Sequence, residues 1–383
     1  MSGPLRLRVH EGLDQIPAAD WDALRPDDNP FLAHAFLAGL ERQGCIQPEL
    51  GWQPWHLGAY RGETLVGALP CYLKGNSHGE FVFDWSWAEA YARYGLDYYP
   101  KLLAGVPYSP VTGPRLLARD ETVAQALLLQ LRSECARRRF SSAHVNFVDS
   151  VQAPWFDSEH WLERNDWQFH WHNAGYRDFD DFLAALLPKK RKNLRQERAK
   201  VAAQEVELLT LHGDELSDED WRFVHTCYSA TFEEKGNYPA LTEGFLRHLG
   251  QTMPRSLVVF MARRRGQRLA MALCLRSSST LYGRYWGSLE EVPGLHFETC
   301  YYQGIEYCLR EGLSRFEPGA QGQHKIARGF LPQRTRSFHY IQRENFRSAI
   351  RTALQAERDD LQRWGEQLQL QSPFAAAVAQ LSA

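Results

Sequence analysis

Residues 54 to 73, PWHLGAYRGETLVGALPCYL, hold two apolar runs separated by a polar RGET turn, a pattern that predicts two antiparallel strands in a hairpin. The arrangement returns in residues 257 to 288, LVVFMARRRGQRLAMALCLRSSSTLYGRYWGS. There Arg265-Gly266, Leu269 and Ala272-Leu273 fall in register with Arg61-Gly62, Leu65 and Ala68-Leu69. A helical segment, residues 121 to 140, follows the first hairpin and leads into the strand SSAHVNFV. Residues 296 to 313 follow the second and lead into SRFEPGA. Both halves read hairpin, strand, helix, strand, and the ordered agreement of several segments points to duplication.

Between the halves, Phe179, Phe182, Leu183, Leu186 and Leu187 recur at helical spacing after Asp178, Pro188 interrupts, and a strongly basic helix follows. The C-terminal segment NFRSAIRTALQAERDDLQRWGEQLQLQ predicts a long amphipathic helix packed on the second domain, since no heptad persists long enough for a coiled coil. A chain of 383 residues exceeds what one core holds, so two α+β domains are expected, residues 1–160 and 161–383. The first carries an aromatic, proline-rich insertion, residues 74–114; the second carries the basic helix 189–200 and the long C-terminal helix.

Composition refines this picture. Hydrophobic residues make up 44% and charged residues 23%, the balance of a globular chain. The net charge of −2 means that attraction to nucleic acid or an anionic membrane must come from a local patch. The seven cysteines are scattered without CxxC spacing and read as reduced thiols in the core. The N-terminal stretch MSGPLRLRVHEGLDQIP lacks an apolar core, and no apolar run is long enough to span a bilayer; a cytoplasmic protein without signal peptide or transmembrane segment is expected.

Candidate chemistry concentrates in FEPGAQGQHKIARGF, residues 316 to 330. A strand end, a glycine-rich turn and a helix start expose backbone N–H groups to an anion. His324 and Arg328 lie one turn apart, with Lys325 beside them. The stretch has neither the GK[ST] of a phosphate-binding P-loop nor GxGxxG. Glu317, at the strand end, is a candidate proton acceptor, whereas Glu298 reads as a carboxylate at a helix start. Cys300, Gly304 and Cys308 form a stripe of small residues suited to a helix pressed on a sheet, so Cys300 reads as core rather than nucleophile. His170 and His172 share one strand face, but no third ligand completes a metal site, and none is expected. In the basic run KKRKNLRQERAK, residues 191, 195 and 198 stack on one helical face, either as a solvated surface or as a ridge for a phosphate backbone or an anionic glycan lipid.

Several long strings carry a family resemblance: FDWSWAEAYARYGLDYYPKL, VPYSPVTGPRLL, FHWHNAGYRDFDDFLAALLPKKRKNLRQER, YGRYWGSLEEVPGLHFETCYYQGIEYCLREG and FEPGAQGQHKIARGFLP. With them, nearly the whole chain resembles the bacterial peptidoglycan biosynthesis or recognition proteins of the Fem-like branch of the GCN5-related N-acyltransferase superfamily. The resemblance implies two tandem acyltransferase-like domains, each a mixed, mostly antiparallel sheet flanked by helices. It also implies an acyl donor, either acyl-coenzyme A or aminoacyl-tRNA, and an amine acceptor. KKRKNLRQER is similar to the basic region of Fem-type aminoacyl transferases, although Gln196 and Glu197 interrupt it; the second half holds no clean coenzyme A loop.

The expected activity is N-acyl transfer, with Glu317 and His324 as catalytic residues. Gly319, Gln321, Gly322, Lys325 and Arg328 would hold an anionic part of a substrate, and Trp286, Tyr302 and Gln303 would line the site. The alternative is a non-catalytic module recognising a cell-wall precursor or fragment through the aromatic insertion, with Trp85 and Tyr98 in contact. A third possibility is nucleic-acid engagement through residues 189–200.

Overall fold

A computed structural model describes residues 3–320 and 322–375. The chain divides into two compact units, the first from residues 1–166 and 334–363, the second from residues 167–333 and 364–383. The strands are β1 (Leu5–His10), β2 (Trp52–Pro54), β3 (His56–Arg61), β4 (Thr64–Leu69), β5 (Cys71–Lys74), β6 (Lys101–Ala104), β7 (Leu117–Ala118), β8 (Ser142–Val145), β9 (Leu162–His172), β10 (Glu207–His212), β11 (Leu257–Arg264), β12 (Gln267–Arg276), β13 (Thr280–Ser288), β14 (Arg315–Glu317) and β15 (Leu331–Ile341). The helices are α1 (Ala18–Asp22), α2 (His34–Arg42), α3 (Trp85–Arg93), α4 (Glu121–Arg138), α5 (Phe179–Ala185), α6 (Pro188–Ala202), α7 (Asp218–Glu234), α8 (Glu243–Thr252), α9 (Leu295–Phe297), α10 (Gln303–Glu311) and α11 (Glu344–Gln369).

In the first unit the predicted hairpin bends across two sheets. Pro70 interrupts the second arm, so β3 and β4 belong to the order β1-β3-β4-β7, while β2 and β5 belong to β15-β8-β6-β5-β2. Helix α4 starts at Asp120, whose side chain accepts from the Val123 N–H. It then joins β6 to its parallel neighbour β8. A Cβ on Gly67 would stand 2.4 Å from Val123, so only glycine lets α4 lie this close to the hairpin. The core gathers Leu57, Leu69, Leu127, Leu131, Val145 and Phe338.

Two readings of this unit differ from expectation. Residues 74–114 are not an appended loop: they contain β6, which pairs with both β5 and β8, and α3, whose Trp87 and Tyr91 are buried. The C-terminal helix does not pack on the second unit alone. Phe346, Ile350 and Leu354 of α11 cluster with Trp87, Tyr91 and Tyr98 in the first unit, and the helix passes into the second only from Trp364.

The second unit repeats the plan with the order β10-β11-β12-β13-β14-β9. Arg265 (φ 51°) and Gly266 (φ 80°) make the two-residue turn between β11 and β12, both with the positive φ that matches strand twist. β13 and β14 run parallel, joined by the helical segment 295–311. The small-residue stripe has the packing role expected of it: a Cβ on Gly304 would meet the Phe316 ring at 2.2 Å, and Cys308 is fully buried. All seven cysteines are free thiols. Among the described residues, no helix is long and apolar enough to cross a membrane.

Candidate active site

Phe316 anchors the stretch that stood out in the sequence, fully buried on β14. The chain then turns through Gly319 (φ 97°) into a 3₁₀ helix, residues 323–328, which ends at Gly329 (φ 93°). The expected helix start is thus a six-residue 3₁₀ turn, too short to build an α-helical dipole. Gly322 (φ 122°) is required twice over, because a Cβ there would also stand 2.5 Å from the His324 ring. Gln321 lies outside the described residues.

The three basic residues take different roles. Lys325 is buried and donates to the Gly319 carbonyl at 2.8 Å, bracing the turn from within; burial pulls its ammonium down to about 8. Arg328 is also buried. Its Nε donates to Tyr302 Oη at 3.1 Å, Nη1 to the His324 carbonyl at 2.9 Å, and Nη2 to both carboxylate oxygens of Glu197 at 2.9 Å. The guanidinium lies 3.6 Å from the Phe297 ring centroid. Arg328 therefore fixes the backbone of His324 through one donor, while Tyr302 and Glu197 take its others.

His324 is exposed, with Nε2 2.9 Å from Tyr301 Oη. Partial burial, then the charges of Lys325 and Arg328, lower its pKa, so the imidazole is neutral at neutral pH. Glu317, by contrast, is buried and forms a 3.1 Å ion pair with Arg315.

A π-helical turn, Glu298–Tyr302, supplies the partners of this cluster. It places Tyr301 against His324, and Tyr302 against Arg328 and Glu197. Trp286 of β13 packs edge-on against His296, which packs against Tyr301. Burial, then His324, holds His296 down to about 4. Gln303 donates to Glu298 and Glu306, which both receive Arg198. Burial makes the Cys300 thiol a poor acid, as a core cysteine requires.

Helix α6 begins with Pro188 at its first turn and docks by charge. Arg198 pairs with Glu298 and Glu306, Arg195 with Asp180, and Arg191 donates to the carbonyls of Ala184 and Leu186. Lys189, Lys192 and Lys200 stay exposed. A cavity of about 460 Å³ lies along the helix, lined by Phe179, Leu183, Arg198, Val206, Glu298 and Glu306.

Trp85 and Tyr98 belong to the first unit. Trp85 is 39% exposed and packs on His78, whereas Tyr98 is buried and donates to Asp84 at 2.6 Å. His170 is buried against Gln168, and His172 is exposed. Sequence reasoning missed Glu197, Tyr301 and Phe297. Only Glu197 carried a signal, as the lone acid in a basic run.

The site thus sits on an α+β fold of two compact units, each built on mixed sheets flanked by helices. The chain matches the FemAB-like family model, described as peptidoglycan biosynthesis/recognition, over residues 12–376, and it belongs to that family. Among solved structures it is similar to FemX, with TM-score 0.53, 10% identity and coverage of 88% of this chain and 98% of that one. L-PGS from Bacillus licheniformis is similar at TM-score 0.51 and 10% identity, covering 86% and 96%. At such identity these likenesses speak for the fold. No curated protein matches the chain by sequence.

Proposed function

We propose that the protein transfers an acyl or aminoacyl group to an amine, with a peptidoglycan precursor or related cell-wall molecule as acceptor. The observation that carries this reading is His324: neutral, exposed, oriented by Tyr301 Oη, and held from its own backbone by Arg328. The amine attacks the activated carbonyl, a C–N bond forms, and the bond to the donor's oxygen or sulfur breaks. His324 takes the proton that the amine releases. Glu317 is the second candidate for that role, and Gly319, Gly322 and Lys325 shape the turn beneath the reacting groups. Trp286, Tyr302 and Gln303 hold the surrounding wall.

The donor is acyl-coenzyme A or an aminoacyl-tRNA. The exposed lysines of α6 support contact with a polyanion such as tRNA or an anionic glycan lipid. Replacing His324 by Ala and Glu317 by Gln, with turnover measured for both donors, tests the assignment. If neither change slows turnover, the site is misplaced.

A recognition role draws on one observation, the exposure of Phe83 and Trp85 on neighbouring positions of the first unit. It predicts binding of a cell-wall fragment without any acyl donor, lost in Trp85→Ala.

A further inference from the structure

The first unit contains a partly enclosed cavity of about 210 Å³ whose lining includes Phe81, Val82, Phe83, Phe147, Arg164, Ser337 and Glu357. It lies below the roughly 300 Å³ at which pockets for drug-sized molecules begin, so it suits a smaller ligand. Two of its walls are unusual. Phe81 (φ 60°) and Phe147 (φ 55°) both hold the left-handed backbone that bulky residues rarely adopt and that persists only where the surroundings fix it.

The polar groups come from β9, β15 and α11. Arg164 donates to Glu357 Oε1 at 2.8 Å from Nε and to Oε2 at 3.1 Å from Nη2, while its Nη1 donates to the Phe83 carbonyl at 2.6 Å. Each terminal nitrogen keeps one further N–H. The pair is accessible, at 20% and 37% exposed, and Trp87 lies 5.4 Å from the guanidinium. Ser337 accepts from the Phe147 N–H at 3.1 Å, which leaves its own proton to donate. Deeper on the same face of β15 stands His339, two residues on, and His144 faces it across the ladder. His339 Nε2 is buried with no hydrogen-bond partner in the structure, and so is Asn146 Oδ1, two residues beyond His144.

A fixed cation and a fixed anion side by side, facing three phenyl rings in a small cavity, form a complement to a zwitterion with an apolar side chain. We propose that this cavity binds a free α-amino acid. Its carboxylate takes the spare N–H groups of Arg164 and the Ser337 hydroxyl, its ammonium goes to Glu357, and its side chain lies among Phe81, Phe83 and Phe147. The site belongs wholly to the first unit and is independent of the transferase reading of the second.

The test is titration calorimetry of the full chain with L-leucine and L-phenylalanine, each beside its amide and its des-amino acid. Binding of the amino acids, with both analogues at least about tenfold weaker, is the expected result, because each analogue lacks one charge-assisted contact. Glu357→Gln should weaken binding by a similar factor, and Val82→Trp, at a half-buried wall position, should abolish it in a protein whose unfolding midpoint is unchanged. No heat up to about 10 mM amino acid would overturn the proposal. So would analogues that bind equally well, or affinity indifferent to both substitutions.

Discussion

Glu197 accepts two hydrogen bonds, each of 2.9 Å, from a single terminal nitrogen of Arg328, and also receives the Tyr302 hydroxyl. The one acidic residue in a basic helix ties that helix to Arg328 and Tyr302 of the candidate active site.

Arg328 is 8% exposed and Glu197 32%. Glu197→Ala leaves a buried guanidinium without its counter-charge, and the expected loss is about 2–3 kcal/mol, below the range for a fully buried pair because Glu197 is partly solvated. Arg328→Met alone should cost a similar amount, and the double variant should recover part of it. Chemical denaturation of all four proteins measures the coupling.

In the first unit, burial holds His144 down to about 3 and His339 well below its ordinary value. An unfolded chain takes up both protons below pH 6.5, which the folded chain refuses, so their contribution is complete above pH 6.5 and is lost on acidification. Glu80 opposes them. Burial raises it to about 7, so between pH 4.5 and 6.5 the folded state holds a proton there that the unfolded state releases. Two histidine protons against one carboxyl proton leave stability rising with pH in that window, and His10, also held down by burial, adds to the rise. Amide exchange of β8 should report this slope, and His339→Leu should flatten it.

Gly304→Ala drives a Cβ to 2.2 Å from the fully buried Phe316 ring. The expected cost is about 1–3 kcal/mol, despite alanine's better helix propensity. Gly105, where the nearest atom is 3.9 Å away, is the control: its alanine variant should change the unfolding free energy by less than about 0.5 kcal/mol.

If α6 binds a phosphate backbone, the contacts come from Lys189, Lys190, Lys192 and Lys200, because Arg191, Arg195 and Arg198 are engaged within the second unit. Affinity for tRNA should then fall with salt with a log–log slope no steeper than about −4, close to one unit per lysine. Changing the four lysines to Glu should remove the slope, whereas Arg198→Ala should lower stability and leave the slope in place. Fluorescence anisotropy across a salt series separates the two.

The tandem plan was legible because it is local. Arg61-Gly62 and Arg265-Gly266 mark hairpin turns, the Cys300/Gly304/Cys308 stripe marks a close helix, and both survive in a single sequence. What stayed hidden depends on distant partners. Lys74 and Lys101 look like surface residues, yet both are fully buried, Lys101 donating to Ser77 and Glu80 and pairing with Asp84. Strand β6 was lost inside the insertion because KLLA is short and sits between prolines at 100 and 107. Glu197 read as an interruption because Arg328 is far along the chain, and no periodicity connects them. In residues 316 to 330 the residue types were informative but their roles were not: of His324, Lys325 and Arg328, only His324 reaches solvent.

The most direct test of the account is the rate of amine acylation, followed by mass spectrometry, for the intact protein and for His324→Ala, with acyl-coenzyme A and charged tRNA each offered as donor and a peptidoglycan precursor as acceptor. The expected result is product from one donor, an acid limb with an apparent pKa below the ordinary histidine value of 6.5, and a loss of about 100-fold or more in the variant. No product from either donor, or equal rates for the two proteins, would contradict it.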